Sequence, residues 1–242
     1  MRAERLVLLV GLLAGCGRPG AVETSIPLMV AGTELEAPIE GRDGWSIELS
    51  RADLAFGPLY LCSGVKAGDL CETARAEWVD SIVVDVLDPE ARYVGDLHGS
   101  TGWTRSWMYD LGIVSLLAKQ NAEPMSAAEA LGGVSLVLEG TASKDGAISP
   151  FLARAPIQQE EGTEKGVPVV RKSAADPFEH EITGEDERLL VRFDAASWAR
   201  EIDFTSASEE GDLEFTSEGQ AMRAIRNAVV AGPRPRFEWG EE

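Results

Sequence analysis

The residue types best suited to chemistry meet in one short stretch, residues 93–107. Asp96 and His98 lie two positions apart, so on a strand both side chains would face the same side. A carboxylate and an imidazole on one face could supply two ligands to a transition metal. No third ligand lies at useful spacing, and Met108 is only a distant possibility. The pattern therefore indicates a candidate metal site at Asp96 and His98. The alternative is that His98 is a solvated or backbone-bonded side chain.

The same stretch carries three residues suited to binding an organic ligand, which are Trp103, Arg105 and Trp107. Glycines and small hydroxyl residues surround them, which predicts a loop, and loops held on a rigid scaffold often carry binding sites. Trp103 and Trp107 are the expected exposed pair of tryptophans, while Trp45 and Trp198 lie in apolar patterns typical of a core. The alternative is a surface segment that carries no site, tolerates sequence change and has its tryptophans buried.

Catalytic signatures are missing elsewhere in the sequence. His180 lies in an acidic segment without an HExxH motif, and Ser100 does not sit in a G-x-S-x-G motif. The sequence also lacks nucleotide, dinucleotide and calcium-loop motifs, so no cofactor is predicted. These observations favour a protein without catalytic activity and leave an unrecognised hydrolase as an alternative.

Alternating apolar residues predict strands along most of the chain. Trp45, Ile47 and Leu49 alternate with polar residues, and the apolar face then shifts by one position to continue in residues 52–56, which predicts a β-bulge. The Asp145-Gly146 pair between two apolar runs predicts a hairpin.

Helical patterns are few. Short helical turns are predicted at residues 126–131 and 194–202. Ser217 and Gln220 have capping-box spacing, and Met222, Ile225 and Val229 follow at helical intervals. The sequence therefore predicts an antiparallel β-sandwich, or a barrel-like domain, with a short C-terminal helix.

The charge balance excludes some partners. The chain of 242 residues has 41 acidic and 22 basic side chains, for a formal net charge of −19. Such a surface repels nucleic acid and anionic lipid head groups, so no nucleic-acid partner is expected. Acidic residues are dense in residues 158–188, which predicts an exposed acidic insertion in one domain spanning residues 26–242.

The N-terminus has the features of an export signal. Arg2 and Arg5 precede the apolar run Leu6–Ala14, which is too short to cross a bilayer because a spanning helix needs about 20 residues. The four residues Leu13 to Cys16, which overlap the end of this run, resemble the lipobox of bacterial lipoproteins. The resemblance implies that residues 1–15 are removed as a signal peptide, that Cys16 carries the lipid, and that residues 16–25 form a tether. Gly17 is not the Asp that retains some lipoproteins in the inner membrane, so outer-membrane placement is expected, on its periplasmic or surface face.

Lipidation of Cys16 leaves two cysteines, Cys62 and Cys71. An exported chain meets an oxidising compartment, so a disulfide between them is expected. A metal site is the rival interpretation, but eight intervening residues without a nearby histidine are poor ligand spacing.

Three stretches are similar to β-rich lipoproteins of bacterial envelopes whose activity is not settled: residues 45–62, 192–198 and 237–239. The leading hypothesis is a lipid-anchored envelope protein with a non-catalytic β-domain that binds an envelope protein, a glycan or a small ligand. The membrane is contacted through the lipid anchor. A periplasm-facing metal-binding accessory protein that uses His98 is the first alternative, and the hydrolase is the second.

Overall fold

The computed structural model describes residues 20–35, 38–64, 74–112, 124–156, 171–173, 179–209, 213, 215 and 219–241. Two β-sheets and a small two-stranded ribbon account for half of these residues. The predicted signal peptide and Cys16 lie outside the described residues. Within the part described, no helix has the length and apolar character needed to cross a membrane.

The larger sheet has eight strands. In spatial order they are β12 (Arg171–Ser173), β9 (Ser106–Tyr109), β4 (Leu59–Cys62), β5 (Ala74–Trp78), β7 (Arg92–Ser100), β1 (Glu23–Ala31), β14 (Glu187–Arg192) and β15 (Arg236–Glu241).

The second sheet has five strands. They are β11 (Ala147–Ala155), β10 (Leu136–Lys144), β3 (Ser46–Phe56), β2 (Ile39–Glu40) and β6 (Ile82–Asp85), with β2 and β6 both paired to β3. The ribbon consists of β8 (Gly102–Thr104) and β13 (His180–Ile182).

The prediction of a mainly β fold is confirmed, but the larger sheet is mixed rather than purely antiparallel. Strand β1 pairs with β14 in parallel, with Leu28 opposite Leu189. A parallel pair needs a long crossover connection, and here most of the domain lies between the two strands. Local alternation along either strand carries no information about which distant strand it joins, so the sequence pattern could not show this pairing.

The predicted bulge in β3 is confirmed. Glu139 pairs with Arg51 and Gly140 pairs with Leu49, which leaves Ser50 as the extra residue. Its hydroxyl donates a hydrogen bond to the Glu139 carbonyl at 3.2 Å. A Cβ atom at Gly140 would lie 2.1 Å from the carbonyl oxygen of Glu48, so glycine permits the close approach of the strands there.

The predicted hairpin is also confirmed. Strands β10 and β11 are joined through Asp145 and Gly146, whose φ angles are +53° and +85°. Positive φ at both central residues is the type I′ geometry that matches the twist of the flanking strands. The turn residues therefore determine the register in which Lys144 pairs with Ala147.

The described residues include four short helices, of which the last three pack on the main core and the first packs in a separate cluster with Ala55 and Val137. They are α1 (Ser126–Ala130), α2 (Ala195–Ala199), α3 (Phe204–Glu209) and α4 (Gln220–Ala231), and a 3-10 turn spans Arg42–Gly44. The predicted C-terminal helix is confirmed, and Met222, Ile225 and Val229 are buried as its periodicity requires. Its N-cap is Gly219, and the expected cap Ser217 lies outside the described residues.

The main core lies between the two sheets and helices α2, α3 and α4. Phe56 is fully buried and contacts the rings of Trp78, Tyr109 and Phe193. Trp198 is 3 % exposed, which confirms its predicted place in the core, and Trp45 packs at the margin of the core.

The prediction of a loop over residues 93–107 is wrong. The stretch is formed by most of β7, the whole of β8 and the start of β9. A Cβ atom at Gly99 would lie 2.1 Å from the carbonyl oxygen of Arg75 on the neighbouring strand. Gly99, one of the glycines that indicated a loop, therefore marks close contact between paired strands.

The predicted acidic insertion, residues 158–188, is only partly covered by the described residues. Residues 157–170 and 174–178 lie outside the described residues. The remainder of the segment contributes β12, β13 and the start of β14, and Ile182 is buried in the core. The C-terminal end of the segment therefore belongs to the sheets.

Candidate functional site

Asp96 and His98 lie on the outer face of the eight-stranded sheet. They pair with Pro27 and Ser25 of β1 and face the same side, as the spacing of two predicts. Asp96 accepts a hydrogen bond from the Tyr93 hydroxyl at 3.1 Å. The Nδ1 atom of His98 is 3.5 Å from the Ser25 hydroxyl oxygen.

The described residues do not assemble a metal centre around this pair. No group of three or more His, Cys, Asp and Glu side chains converges anywhere in the described part of the chain. Met108 lies on β9, three strands from β7, which places it about 14 Å from His98 because neighbouring strands are about 4.8 Å apart. Met108 is therefore not the third ligand of an Asp96–His98 site.

His98 does have a serine and a carboxylate beside it, which are the residue types of a hydrolytic triad. Ser25 lies directly opposite His98 on the neighbouring strand β1, and Glu77 lies directly opposite it on β5. All three side chains are exposed on the sheet face. A contact of 3.5 Å is too long to activate a hydroxyl, and Ser100, the serine considered from the sequence, instead contacts the Arg75 guanidinium.

The two predicted exposed tryptophans have different environments. Trp103 lies on β8 and is 47 % exposed. Trp107 lies on β9 and is 2 % exposed, with its ring stacked on Phe237 at 4.4 Å and on Tyr109 at 5.2 Å between centroids. The prediction of exposure is wrong for Trp107 because its position on β9 faces the core.

Trp103 is surrounded by charged side chains. Glu181 on β13 pairs directly with it across the ribbon. Arg105, just beyond β8, forms an ion pair of 3.8 Å with Glu179, and both side chains are largely exposed. We call Trp103, Arg105, Glu179 and Glu181 the Trp103 platform.

The other side of the ribbon is attached to the rim of the large sheet. The His180 ring stacks on Trp239 with centroids 3.8 Å apart and an interplanar angle of 10°. Its Nε2 atom is 3.4 Å from Glu187 Oε1, which also accepts hydrogen bonds from the Thr183 backbone N–H and hydroxyl. His180 therefore holds the Trp103 platform in place. The sequence pattern did not reveal its partners Glu187 and Trp239, which come from two later strands.

A groove of about 460 Å³ lies at α4, well apart in sequence from the platform. One wall is α4, and the other is formed by Arg42 and the turn between α2 and α3. Its polar lining comprises Arg42, Glu201, Asp203, Gln220, Arg223 and Asn227. The sequence patterns gave no sign of this groove, because Arg42 lies 159 residues before Glu201, its partner on the same wall.

A buried carboxyl group is the other feature that the sequence did not reveal. Asp110 is 0 % exposed, and neither of its carboxylate oxygens has a hydrogen-bond partner among the described residues. Burial raises its pKa from 3.8 to about 8. On the same sheet face, burial and then the charges of Asp110 and Glu77 raise the pKa of Tyr60 to about 12. Asp110 is therefore protonated at neutral pH.

Cys62 is buried at the end of β4. Cys71 lies outside the described residues, so the disulfide between them stays a prediction.

The arrangement defines a class of protein: a β-rich domain of two packed sheets that carries exposed aromatic and charged side chains on a small ribbon. No family model matches the chain, and no curated protein matches it. Among solved structures the chain is similar to MbnP from Methylosinus trichosporium, at 10% sequence identity, with a TM-score of 0.39. The match covers 91% of this chain and 99% of that one.

Proposed function

We propose that the protein is a lipid-anchored bacterial envelope protein whose non-catalytic β-domain binds a glycan at the Trp103 platform. The observation that carries this proposal is the exposed indole of Trp103, which lies among the side chains of Glu181, Arg105 and Glu179. A large aromatic ring is usually mostly buried, so one left half exposed among charged groups is a candidate contact residue.

The chemistry of the platform suits a sugar ring. An indole has a flat apolar face that can cover the C–H face of a pyranose. Carboxylates and a guanidinium group are planar and present paired acceptors or donors, which match neighbouring hydroxyl groups. The His180–Trp239 stack holds the ribbon on the sheet rim, which lowers the cost of ordering the platform upon binding.

The anchor is supported by the lipobox resemblance at Leu13 to Cys16. The net charge of −19 repels anionic head groups, so acyl chains rather than surface charge would hold the protein at a membrane. One acyl chain binds only weakly, and two or three give stable attachment. Strand β1 begins at Glu23, so only a short tether separates Cys16 from the domain. The proposed location is the outer membrane.

The N-terminus provides a direct test of the anchor. We expect the mature protein to begin at Cys16 and to carry a diacylglyceryl group on its sulfur, because the lipobox directs cleavage before that cysteine. Mass spectrometry of the N-terminal peptide from membrane fractions measures this. An intact Met1, or an unmodified Cys16 on exported protein, would contradict the proposal.

The binding proposal is tested with Trp103→Ala. Removing the ring is expected to weaken glycan binding about fivefold to tenfold, since an aromatic contact contributes about 1 to 1.5 kcal/mol. The measurement is the Kd for purified peptidoglycan fragments and for lipopolysaccharide oligosaccharide, using full-length protein in detergent. Thermal stability should change little because Trp103 is outside the core.

His98→Ala and Tyr93→Ala are the matched controls, since both residues are exposed on the outer face of the large sheet. Both variants should bind glycan as the unmodified protein does. Equal binding by Trp103→Ala, or loss of binding in His98→Ala alone, would refute the platform. Capture of a protein but of neither glycan would refute the choice of ligand.

A further inference from the structure

The groove at α4 is separate from the Trp103 platform and contains charged groups of both signs. Gln220, Arg223 and Asn227 lie three and four residues apart, so they share one face of the helix. The opposite wall presents Arg42 and Glu201, which form an ion pair with each other.

Asp203 adds a second carboxylate to that wall. Its oxygens accept hydrogen bonds from the Ser206 backbone N–H at 3.0 Å and from the Ser206 hydroxyl at 2.6 Å. These hydrogen bonds, followed by the charge of Arg42, hold the pKa of Asp203 below its usual value. The groove therefore keeps two carboxylates and two guanidinium groups, all within one cavity.

The charge pattern selects between ligand classes. A simple anion would be attracted by two of these groups and repelled by the other two, and the same holds for a simple cation. A molecule with an ammonium group at one end and a carboxylate at the other can meet complementary charges at both ends. The carboxamides of Gln220 and Asn227 can each donate and accept a further hydrogen bond.

The rest of the groove lining is small and apolar, consisting of Ala224, Ala228, Ala231, Gly232 and Pro233. Methyl side chains leave room above α4 and offer an apolar surface beside the charged groups. The volume of about 460 Å³ lies toward the small end of the range for ligand pockets, about 300 to 1,000 Å³.

We propose that this groove is a binding site for a compact zwitterion, namely a free α-amino acid. Arg223 and Asn227 would hold the carboxylate, Glu201 and Asp203 would hold the ammonium group, and the alanines would contact the ligand's side chain. This site is independent of the glycan platform, so Trp103→Ala should leave it unchanged.

The test is isothermal titration of the full-length protein with the free proteinogenic amino acids, one at a time. At least one is expected to bind with a Kd below about 1 mM, corresponding to about −4 kcal/mol. Its N-acetyl derivative lacks the ammonium charge, and its amide derivative lacks the carboxylate charge. Each should bind at least about tenfold more weakly, because each loses one charge-assisted contact. Equal binding of either derivative, or no binding of any amino acid, would overturn the proposal. Binding of dipeptides without free amino acids would also overturn it, since the charges are then farther apart.

Two variants link the binding to the groove. Arg223→Gln and Asn227→Ala should each weaken binding of the amino acid about tenfold, and Arg236→Gln, an exposed arginine outside the groove, should not. Thermal unfolding of each variant separates lost binding from lost folding. Unchanged affinity in a folded Arg223→Gln and a folded Asn227→Ala would place the ligand elsewhere and refute the assignment.

Discussion

Asp110→Asn is expected to raise the free energy of unfolding at pH 8 by about 5 kcal/mol and to leave it nearly unchanged at pH 3. The reason is the burial of Asp110, which raises its pKa from 3.8 to about 8. Below pH 4 the carboxyl group is protonated in both the folded and the unfolded chain. Between pH 4 and pH 8 the unfolded chain loses this proton while the folded protein keeps it, so the stability of the unmodified protein falls as the pH rises.

Urea unfolding of full-length protein at several pH values between 3 and 9 measures this effect. The unmodified protein should lose stability across that range, and the loss should be much smaller in Asp110→Asn. Glu77→Gln is the control, because Glu77 is an exposed carboxylate on the same sheet face. If Asp110→Asn and the unmodified protein show the same pH dependence, the carboxyl group is not buried without a partner as described.

Phe56→Ala is expected to lower the free energy of unfolding by about 3 to 5 kcal/mol, the usual cost of removing a fully buried aromatic ring. Phe56 lies at the end of β3 and is 0 % exposed. Its ring centroid lies 6.1, 5.6 and 5.1 Å from those of Trp78, Tyr109 and Phe193. These three residues lie on or beside three different strands of the larger sheet, so the cavity would weaken the contact between the two sheets.

Chemical denaturation with tryptophan fluorescence measures this loss, since Trp78 is one of the neighbours. Tyr93→Ala is the control, because Tyr93 is 56 % exposed and its removal should change stability by less than about 0.5 kcal/mol. A loss below about 1 kcal/mol for Phe56→Ala would mean that the two sheets do not share this aromatic core.

Local features could be predicted from the sequence because their causes are local. The type I′ turn at Asp145 and Gly146 needs residues that tolerate positive φ, and those residues are visible in the sequence. The bulge at Ser50 follows from a one-residue shift in the apolar alternation. The helix Gln220–Ala231 follows from apolar residues at helical spacing.

Other features were misjudged because one signal has two physical causes. The glycines of residues 93–107 indicated a loop, but Gly99 allows two paired backbones to approach closely. Trp103 and Trp107 looked equivalent in sequence, yet one lies on the ribbon and the other faces the core. Only the strand to which a residue belongs, and the face on which it lies, distinguishes these cases.

The sequence by itself determined the β-rich class, the hairpin, the bulge, the C-terminal helix and the core position of Trp198, since short-range periodicity and turn chemistry decide them. The tertiary structure decided the contacts between residues far apart in the chain. These are the parallel pairing of β1 with β14, the stack of His180 on Trp239, the groove between Arg42 and α4, and the burial of Asp110. Each depends on which distant strand or helix is the neighbour, and the packing of the whole core makes that choice.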